Sequence, residues 1–236
     1  MQFCDMNWMD VESYLQQDDR VIVVTGSCEQ HAYLSLTTDV RIPLAVAEAA
    51  AQKDPVLIAP PGNLGVSAEY LAYPGTISLR PETFAMLMRE VFANLIGQGF
   101  RGILVANGHG GNTSILRTLI AETTHQHADV RIRFYEWWRH DSVAQVARDA
   151  GLVRHHANWL QSFPFTRVTD DIPEGEKEPI DLPYGGSPEE YRAAMGDGSY
   201  GGHYWAPDEV TRRMFDVSVQ AVLDELAALK GSSSAR

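Results

Sequence analysis

Continuous apolar runs rich in β-branched residues alternate with stretches of helical periodicity in this chain, and this alternation restricts the fold more than any other feature. Residues 21–24 (Val-Ile-Val-Val) and 103–106 (Ile-Leu-Val-Ala) are such runs, which is typical of strands buried on both faces. Between them, Pro81 opens a stretch with helical spacing of its apolar residues, and Gly97 and Gly99 end it. The repeated order of strand and helix predicts an α/β fold of three layers (α/β/α) with a mainly parallel central sheet.

The same pattern predicts where each element lies along the chain. The predicted strands are residues 21–24, 56–59, 103–106 and 130–138, and the predicted helices are 41–53, 81–97, 113–127, 141–150 and 208–229. Between residues 170 and 207 the periodicity weakens, because Pro, Gly and acidic residues dominate. We expect one domain over residues 1–236, a long loop at about 170–207 that covers the site or contacts another subunit, and a disordered tail at 231–236.

The net charge of the chain restricts the classes of molecule that it can bind. Acidic residues outnumber basic residues 31 to 19, a formal net charge of −12, which argues against nucleic acid or an anionic membrane as a partner. The two cysteines, Cys4 and Cys28, form no spaced framework, so a reduced compartment is the simpler interpretation. No run approaches the about 18 apolar residues of a membrane span, and the first ten residues lack the layout of a secretion signal. The sequence therefore predicts a cytoplasmic protein.

Polar side chains that suit a metal follow the first predicted strand. Residues 26–31 read Gly-Ser-Cys-Glu-Gln-His, and Asp39 lies a short distance further on. In an extended backbone the side chains of Glu29 and His31 project to the same side. Together with Asp39 they form a donor set suited to Zn²⁺, Mn²⁺ or Fe²⁺. The alternative is that Glu29 is solvated, His31 is a loop residue and Asp39 caps the following helix.

A glycine-rich loop follows the third predicted strand. Residues 107–112 read Asn-Gly-His-Gly-Gly-Asn, so His109 lies among three glycines that let the backbone approach a ligand closely. A phosphate cradle or a plain tight turn are the alternatives, although the spacing matches neither the dinucleotide fingerprint nor the P-loop. Because ligands bind outside the carboxyl ends of parallel strands, His109 is expected near the first motif.

These motifs together resemble the creatininase (creatinine amidohydrolase) family. Its Gly-Ser-x-Glu-Gln-His segment, its Thr-Asp dipeptide and its Asn-Gly-His-Gly-Gly-Asn loop match residues 26–31, 38–39 and 107–112. Between them, residues 73–78 (Tyr-Pro-Gly-Thr-Ile-Ser) are similar to the family's Phe-Pro-Gly-Thr-Ile-Ser, and the resemblance runs from about residue 20 to 165. It implies a creatininase-like fold, cleavage of an amide C–N bond in a small molecule, and a symmetric homo-oligomer such as a hexamer.

The resemblance also implies a role for individual residues. Asp39 would bridge two divalent metals, Glu29 and His109 would complete one metal site, and His31 would lie on the other. His156 matches the family's histidine for proton transfer. One or two ions of Zn²⁺, Mn²⁺ or Fe²⁺ per chain are expected.

The chain departs from the family around His156. Residues 156–162 read His-Ala-Asn-Trp-Leu-Gln-Ser, so Trp159 and Gln161 stand where the family carries acids. Gly111 stands where creatininases carry a glutamate after the loop histidine. Gln161 can still coordinate a metal through its carbonyl oxygen, and Glu136 is a substitute carboxylate.

Aromatic residues beside these polar groups, Trp137, Trp138 and Trp159, suggest a wall for a small, flat ligand, with core packing as the alternative for one of each neighbouring pair. We expect Trp137, Trp159, Gln161 and Glu136 to contact the substrate. Creatinine itself is not the expected substrate, because the parts of the chain that would shape the pocket depart most from the family.

The sequence as a whole predicts a metal-dependent amidohydrolase that uses activated water to cleave a non-peptide, for example cyclic, C–N bond. One alternative is a binding or assembly protein on a degraded enzyme scaffold. Another is a protein that binds a phosphate ligand with its glycine-rich loop.

Overall fold

Four parallel strands form the central sheet of the computed structural model, which describes residues 1–183 and 185–231. The strands are β1 (Arg20–Thr25), β2 (Leu57–Ile58), β3 (Gly102–Asn107) and β4 (Arg131–Glu136). Their order is β2-β1-β3-β4, and every pairing is parallel. The predicted parallel sheet is thus confirmed, while the predicted tail lies, apart from Gly231, outside the described residues.

The two central strands place the candidate site. β1 and β3 pair along their whole length, from Arg20 opposite Gly102 to Thr25 opposite Asn107, and every residue of both strands is buried. The chain leaves β1 for β2 on one side of this pair and leaves β3 for β4 on the other. The crevice between the carboxyl ends of β1 and β3 is therefore the topological switch point, where α/β proteins bind their ligands.

Helices cover both faces of the sheet. The α-helices of the described residues are α1 (Trp8–Leu15), α2 (Thr38–Lys53), α3 (Pro81–Gln98), α4 (Thr113–Gln126), α5 (Asp141–Asp149), α6 (Pro188–Met195) and α7 (Asp208–Ala228), and all but α6 pack on the sheet. α2, α5 and α7 share one apolar core with Ile22 and Leu104, whereas α1, α3 and α4 share the other with Val21 and Ile103. This alternation along β1 and β3 explains why both strands are apolar throughout, and it confirms the three-layer α/β/α fold.

Local sequence determines where the helices begin and end. α1, which the periodicity did not predict, begins after Asn7, whose side chain accepts hydrogen bonds from the backbone of Met9 and Asp10. α3 ends at Gly99 in the left-handed conformation that glycine favours. α2 begins at Thr38 rather than at residue 41, and this earlier start puts Asp39 in its first turn.

The segment at 170–207, expected to be a loop, contains regular structure. β5 (Glu176–Lys177) and β6 (Gly202–His203) form a short antiparallel ribbon, and α6 lies between them in the sequence. The Lys177 ammonium donates to the backbone oxygens of Met195 and Ser199 at 2.6 and 2.8 Å. These bonds join β5 to the end of α6 and to the loop that follows it. Within the described ranges, no helix combines the length and the apolar character that crossing a membrane requires.

Candidate metal centre

Two glycines bring Asp39 into the crevice between the central strands. A Cβ atom on Gly108 would lie 1.7 Å from the backbone oxygen of Asp39, and one on Gly26 would lie 2.5 Å from it. The loops after β1 and β3 thus touch the first turn of α2 without room for a side chain. Asp39 is held between the two strand ends for this reason.

Glu29, Asp39 and His109 form the first donor group. His109 Nδ1 lies 2.9 Å from Asp39 Oδ2 and 3.2 Å from Glu29 Oε2. The exposed fractions of Glu29, Asp39 and His109 are 1, 2 and 4%. The structure therefore brings together residues that are far apart in the sequence, with their donor atoms within 4.8 Å of one another.

A hydrogen bond on the opposite side of the His109 ring determines which ring nitrogen faces the first donor group. His109 Nε2 lies 2.7 Å from the backbone oxygen of Val66, which can only accept a hydrogen bond. Nε2 therefore carries a proton, and Nδ1 faces both carboxylates, with a second proton in the charged ring or with a lone pair in the neutral ring. Three acceptors that face one another require a proton or a cation between them.

His31, Asp39 and Gln161 form a second donor group. His31 Nε2 lies 3.0 Å from Asp39 Oδ1, while its Nδ1 lies 3.2 Å from the backbone oxygen of Glu29 and donates to it. Gln161 Nε2 lies 3.0 Å from His31 Nε2 and 3.4 Å from Asp39 Oδ1. Asp39 thus belongs to both groups and gives one carboxylate oxygen to each.

The pKa values of these residues reflect a buried excess of negative charge. Burial, and then the Asp39 carboxylate, raises the pKa of Glu29. Burial opposes the charged form of His31 and of His109, but the adjacent carboxylates outweigh it and raise the pKa of both rings. For Asp39 the two histidines outweigh burial and lower the pKa. The site stabilises positive charge at its centre.

His156 lies next to the second donor group. Its ring stacks on Tyr70 at 5.2 Å between centroids, and it lies 4.7 Å from the His31 ring and 4.9 Å from the Tyr200 ring. Its Nε2 is 3.0 Å from Gln30 Nε2. Burial, followed by the like charge of His31, lowers the pKa of His156 to about 3. The predicted proton-transfer residue is thus at the site, and its ring is neutral.

A cavity of about 710 Å³ opens over the two donor groups. Besides the donor residues and the glycine-rich loop, it is lined by Glu69, Tyr70, Trp138, Arg139, Arg154, His155, His156 and Leu160. The Arg154 guanidinium donates to the Trp138 backbone oxygen at 2.7 Å, and the Arg139 guanidinium lies 6.0 Å from the Trp138 ring centre. An aromatic wall was predicted, but on Trp137, because nothing in the sequence distinguishes Trp138 from its neighbour.

Two residues expected in the substrate wall lie in the core instead. Trp137 is 1% exposed, and its ring packs against Phe163. Trp159 is fully buried, with its indole N–H donating to the Val153 backbone oxygen at 2.6 Å. The short 3-10 turn at Trp137–Arg139 turns successive side chains to different sides, which leaves Trp138 at the cavity.

Glu136 also differs from its expected role. Its carboxylate is buried and accepts hydrogen bonds from Asn107 Nδ2 at 3.1 Å and Thr113 Oγ1 at 2.5 Å. These bonds tie the end of β4 to β3 and to α4. Glu136 does not itself line the cavity, but its Oε2 lies 3.7 Å from the guanidinium of Arg139, which does. Gln161, in contrast, lines the cavity as expected.

Ser67 belongs to the site although the sequence analysis did not select it. Its hydroxyl donates to Glu29 Oε2 and lies 3.2 Å from His109 Nε2. The backbone N–H of Ser67 donates to Ser78 Oγ at 2.8 Å, and the backbone N–H of Ile77 donates to the Cys28 oxygen at 2.9 Å. The motif at residues 73–78 thus anchors Ser67 against the segment that carries Glu29, and this motif was the available signal.

Comparison with known proteins gives a family match and several relatives of similar sequence. The family model described as "Creatininase: Creatinine amidohydrolase" matches residues 4–226. A mycofactocin precursor peptide peptidase of Mycolicibacterium smegmatis is 36% identical over 168 residues, 68% of this chain and 64% of that protein's length. The creatinine amidohydrolase of Pseudomonas putida is 25% identical over 119 residues, 48% of this chain and 46% of its own length.

Solved structures share the fold over the whole length. The crystal structure of a creatinine amidohydrolase superposes with a TM-score of 0.83 and 19% identity, over 98% of both chains. A manganese form of creatininase and a zinc–zinc form of a creatininase mutant each give a TM-score of 0.82. The family match over nearly the whole chain and the shared fold lead to one conclusion. This protein is a divergent member of the creatininase family of hydrolases.

Proposed function

We propose that the protein is a metal-dependent hydrolase that cleaves an amide C–N bond of a small, carboxylate-bearing substrate. The observation that carries the proposal is the first donor group, in which His109 Nδ1 and two carboxylates converge within 3.2 Å. Among the described residues, no Lys or Arg forms an ion pair with Glu29 or Asp39. A divalent cation is the natural counter-charge.

The chemistry of the donors fits the proposed ion. Imidazole nitrogen and carboxylate oxygen are the ligands that Zn²⁺, Mn²⁺ and Fe²⁺ share. Glu29, Asp39 and His109 would hold the ion, with His31 on the adjoining side. When bound, such an ion lowers the pKa of a coordinated water toward about 7 and polarises a carbonyl oxygen.

Residues around the site position the groups that would react. Val66 and Ser67 hold the His109 ring, so its Nδ1 cannot rotate away from the donor group. His156 lies between the second donor group and the cavity, where its neutral ring can accept the proton that the attacking water loses. Because its pKa is lowered to about 3, the protonated ring gives that proton up readily to the leaving nitrogen. Such a transfer contributes typically ~10²–10⁴-fold to the rate.

The cavity wall supports a particular kind of substrate. Trp138 offers a flat apolar surface, and Arg139 and Arg154 place two guanidinium groups beside it. Guanidinium groups bind carboxylates through paired, charge-assisted hydrogen bonds. Arg139 shares its charge with Glu136 at 3.7 Å, whereas Arg154 has no ion pair among the described residues, so Arg154 is the group that favours an amide with a carboxylate.

Hydrolysis of a peptide bond is the second candidate. The 36% identical relative is named a mycofactocin precursor peptide peptidase. The C-terminus of a peptide also carries a carboxylate close to an amide bond. A cavity of about 710 Å³ has room for such a terminus as well as for an N-acyl amino acid. Substrate assays separate the two, because the first predicts turnover of non-peptide amides and the second of short peptides.

The test combines metal analysis with a substrate panel. The purified protein is assayed for amine release from creatinine, N-acyl amino acids and dipeptides, and its metal is measured by mass spectrometry. Asp39→Ala should lose both the metal and the activity, because Asp39 serves both donor groups. Glu48→Ala, a carboxylate deletion on the same helix whose partner is Gln2, should retain both.

Two results would overturn the proposal. One is wild-type protein that binds no divalent ion and is nevertheless active. The other is Asp39→Ala protein with normal metal content. Binding of amides without turnover would instead favour the degraded-scaffold alternative, and competition by phosphate alone would favour a phosphate ligand.

A further inference from the structure

The two donor groups carry unequal charge. The first contains the Glu29 carboxylate, one oxygen of Asp39 and the imidazole of His109, whereas the second shares Asp39 and otherwise contains His31 and Gln161, neither of which brings a negative charge. His31 also has donor atoms of Glu29 and His156 within 4.8 Å, but the Glu29 carboxylate already faces His109 Nδ1 in the first group. Attraction for a dication grows with the negative charge of its ligands. The first group should therefore bind an ion much more tightly than the second.

The orientation of the Gln161 amide makes the second group weaker still. The backbone N–H of Ala157 donates to Gln161 Oε1 at 2.7 Å, and only the oxygen end of an amide can accept this bond. The NH₂ end therefore points at Asp39 Oδ1 and His31 Nε2. The carbonyl oxygen that could have bound a metal is engaged elsewhere, and N–H donors occupy the place of a cation.

The backbone around Gln161 holds this orientation. Ala157 has a φ of 53°, a conformation that residues other than glycine rarely adopt, and this fixes the direction of its N–H. The Gln161 backbone oxygen accepts a hydrogen bond from Thr166 Oγ1 at 2.6 Å. Gln161 itself is buried in the 3-10 turn at Trp159–Gln161.

The positions where the family carries acids supply no carboxylate to the second group. A Cβ atom on Gly111 would lie 2.0 Å from the Val66 oxygen and 2.5 Å from His109 Nε2, so no side chain fits there. Trp159, at another of these positions, lies in the core, and the third position is Gln161 itself.

We propose that this protein binds one divalent ion tightly, in the first donor group, and that the amide of Gln161 takes the place of a second ion. The inference rests on the proposed function, since both concern the same site, but it goes further by fixing the stoichiometry. Replacing the amide by a carboxylate should create the second site. Because a full negative charge would then lie beside Asp39, the affinity for a second ion should rise by about 100-fold or more.

The experiment measures stoichiometry rather than activity. Protein freed of metal by a chelator is titrated with Zn²⁺ or Mn²⁺ by calorimetry, and bound metal is counted by mass spectrometry after gel filtration. Wild type should retain one ion per chain and Gln161→Glu two. Gln52→Glu, the same change on an exposed residue of α2, should retain one.

Thermal melting provides an independent readout. Without metal, Gln161→Glu should melt below wild type, because two carboxylates would then repel each other at the position where an N–H now faces Asp39. Saturating metal should raise its melting temperature by more than that of wild type, since two ions stabilise the folded state. If Gln161→Glu does not fold without metal, Gln161→His supplies a neutral ligand and should bind the second ion more weakly.

The outcomes separate this inference from the proposed function. Two tightly bound ions in wild type, or one ion in both Gln161→Glu and Gln161→His, would overturn the inference and leave a metal-dependent hydrolase in place. Wild type without any bound ion would overturn both.

Discussion

Replacing Gly108 by alanine tests whether the close approach of two loops to α2 builds the metal centre. An added Cβ at this position would lie 1.7 Å from the backbone oxygen of Asp39 and 2.9 Å from the Pro43 ring. Carbon and oxygen atoms that are not bonded stay at least about 3 Å apart. The backbone at Asp39 must therefore move by more than about 1 Å, because the contact is with main chain rather than with a flexible side chain.

Such a movement should cost more in metal binding than in stability. Coordination tolerates errors of only about 0.2 Å in ligand distance, so Asp39 would leave both donor groups. We expect the metal Kd to rise by about 100-fold or more. Overpacking of this kind destabilises a fold by about 1–3 kcal/mol, so the variant should still be folded.

Gly110→Ala is the matched control in the same loop. A Cβ on Gly110 meets no atom within 4 Å, and its φ is not in the left-handed region. Competition against a chromogenic chelator measures the Kd of wild type and both variants, and circular dichroism checks their folding. The reasoning is refuted if Gly108→Ala binds metal as wild type does, or if Gly110→Ala weakens binding equally.

Three further predictions concern the cavity wall and the core. Arg154→Ala should raise KM for carboxylate-bearing amides by about tenfold or more with little change in kcat. An equal rise in KM for neutral amides in steady-state assays would contradict the proposed role of Arg154. Trp137→Ala should lower the free energy of unfolding by about 3–5 kcal/mol in urea titrations, whereas Trp138→Ala should mainly raise KM; the reverse pattern would place the wall on Trp137. A hydrogen bond from Arg20 lowers the pKa of Asp54 below its usual 3.8. The Arg20–Asp54 pair therefore contributes its full stability above pH 3.8, and this contribution is lost as the pH falls through the lowered pKa. Urea titrations should therefore show Asp54→Asn less stable than wild type at pH 7, with the gap closing in acid, and a gap independent of pH would rule out the ion pair as its cause.

The sequence by itself determined the sheet and the residues that converge at it. Apolar runs such as residues 21–24 and 103–106 can be satisfied only by burial on both faces, so the parallel sheet follows from local pattern. The polar residues after β1 and β3 must then share one edge, because parallel strands end on the same side. The sequence is therefore sufficient to place Glu29 and His109 at the same edge of the sheet.

The tertiary structure decided which way individual side chains point. A single turn after β4 separates Trp138, in the cavity, from Trp137, in the core, and two adjacent tryptophans carry no periodicity that could distinguish them. The role of Gln161 depends on which end of its amide meets the Ala157 N–H, and Ser67 reaches the site through contacts with residues 73–78. Such orientations depend on hydrogen-bond partners distant in the chain, and hydrophobic periodicity does not record them.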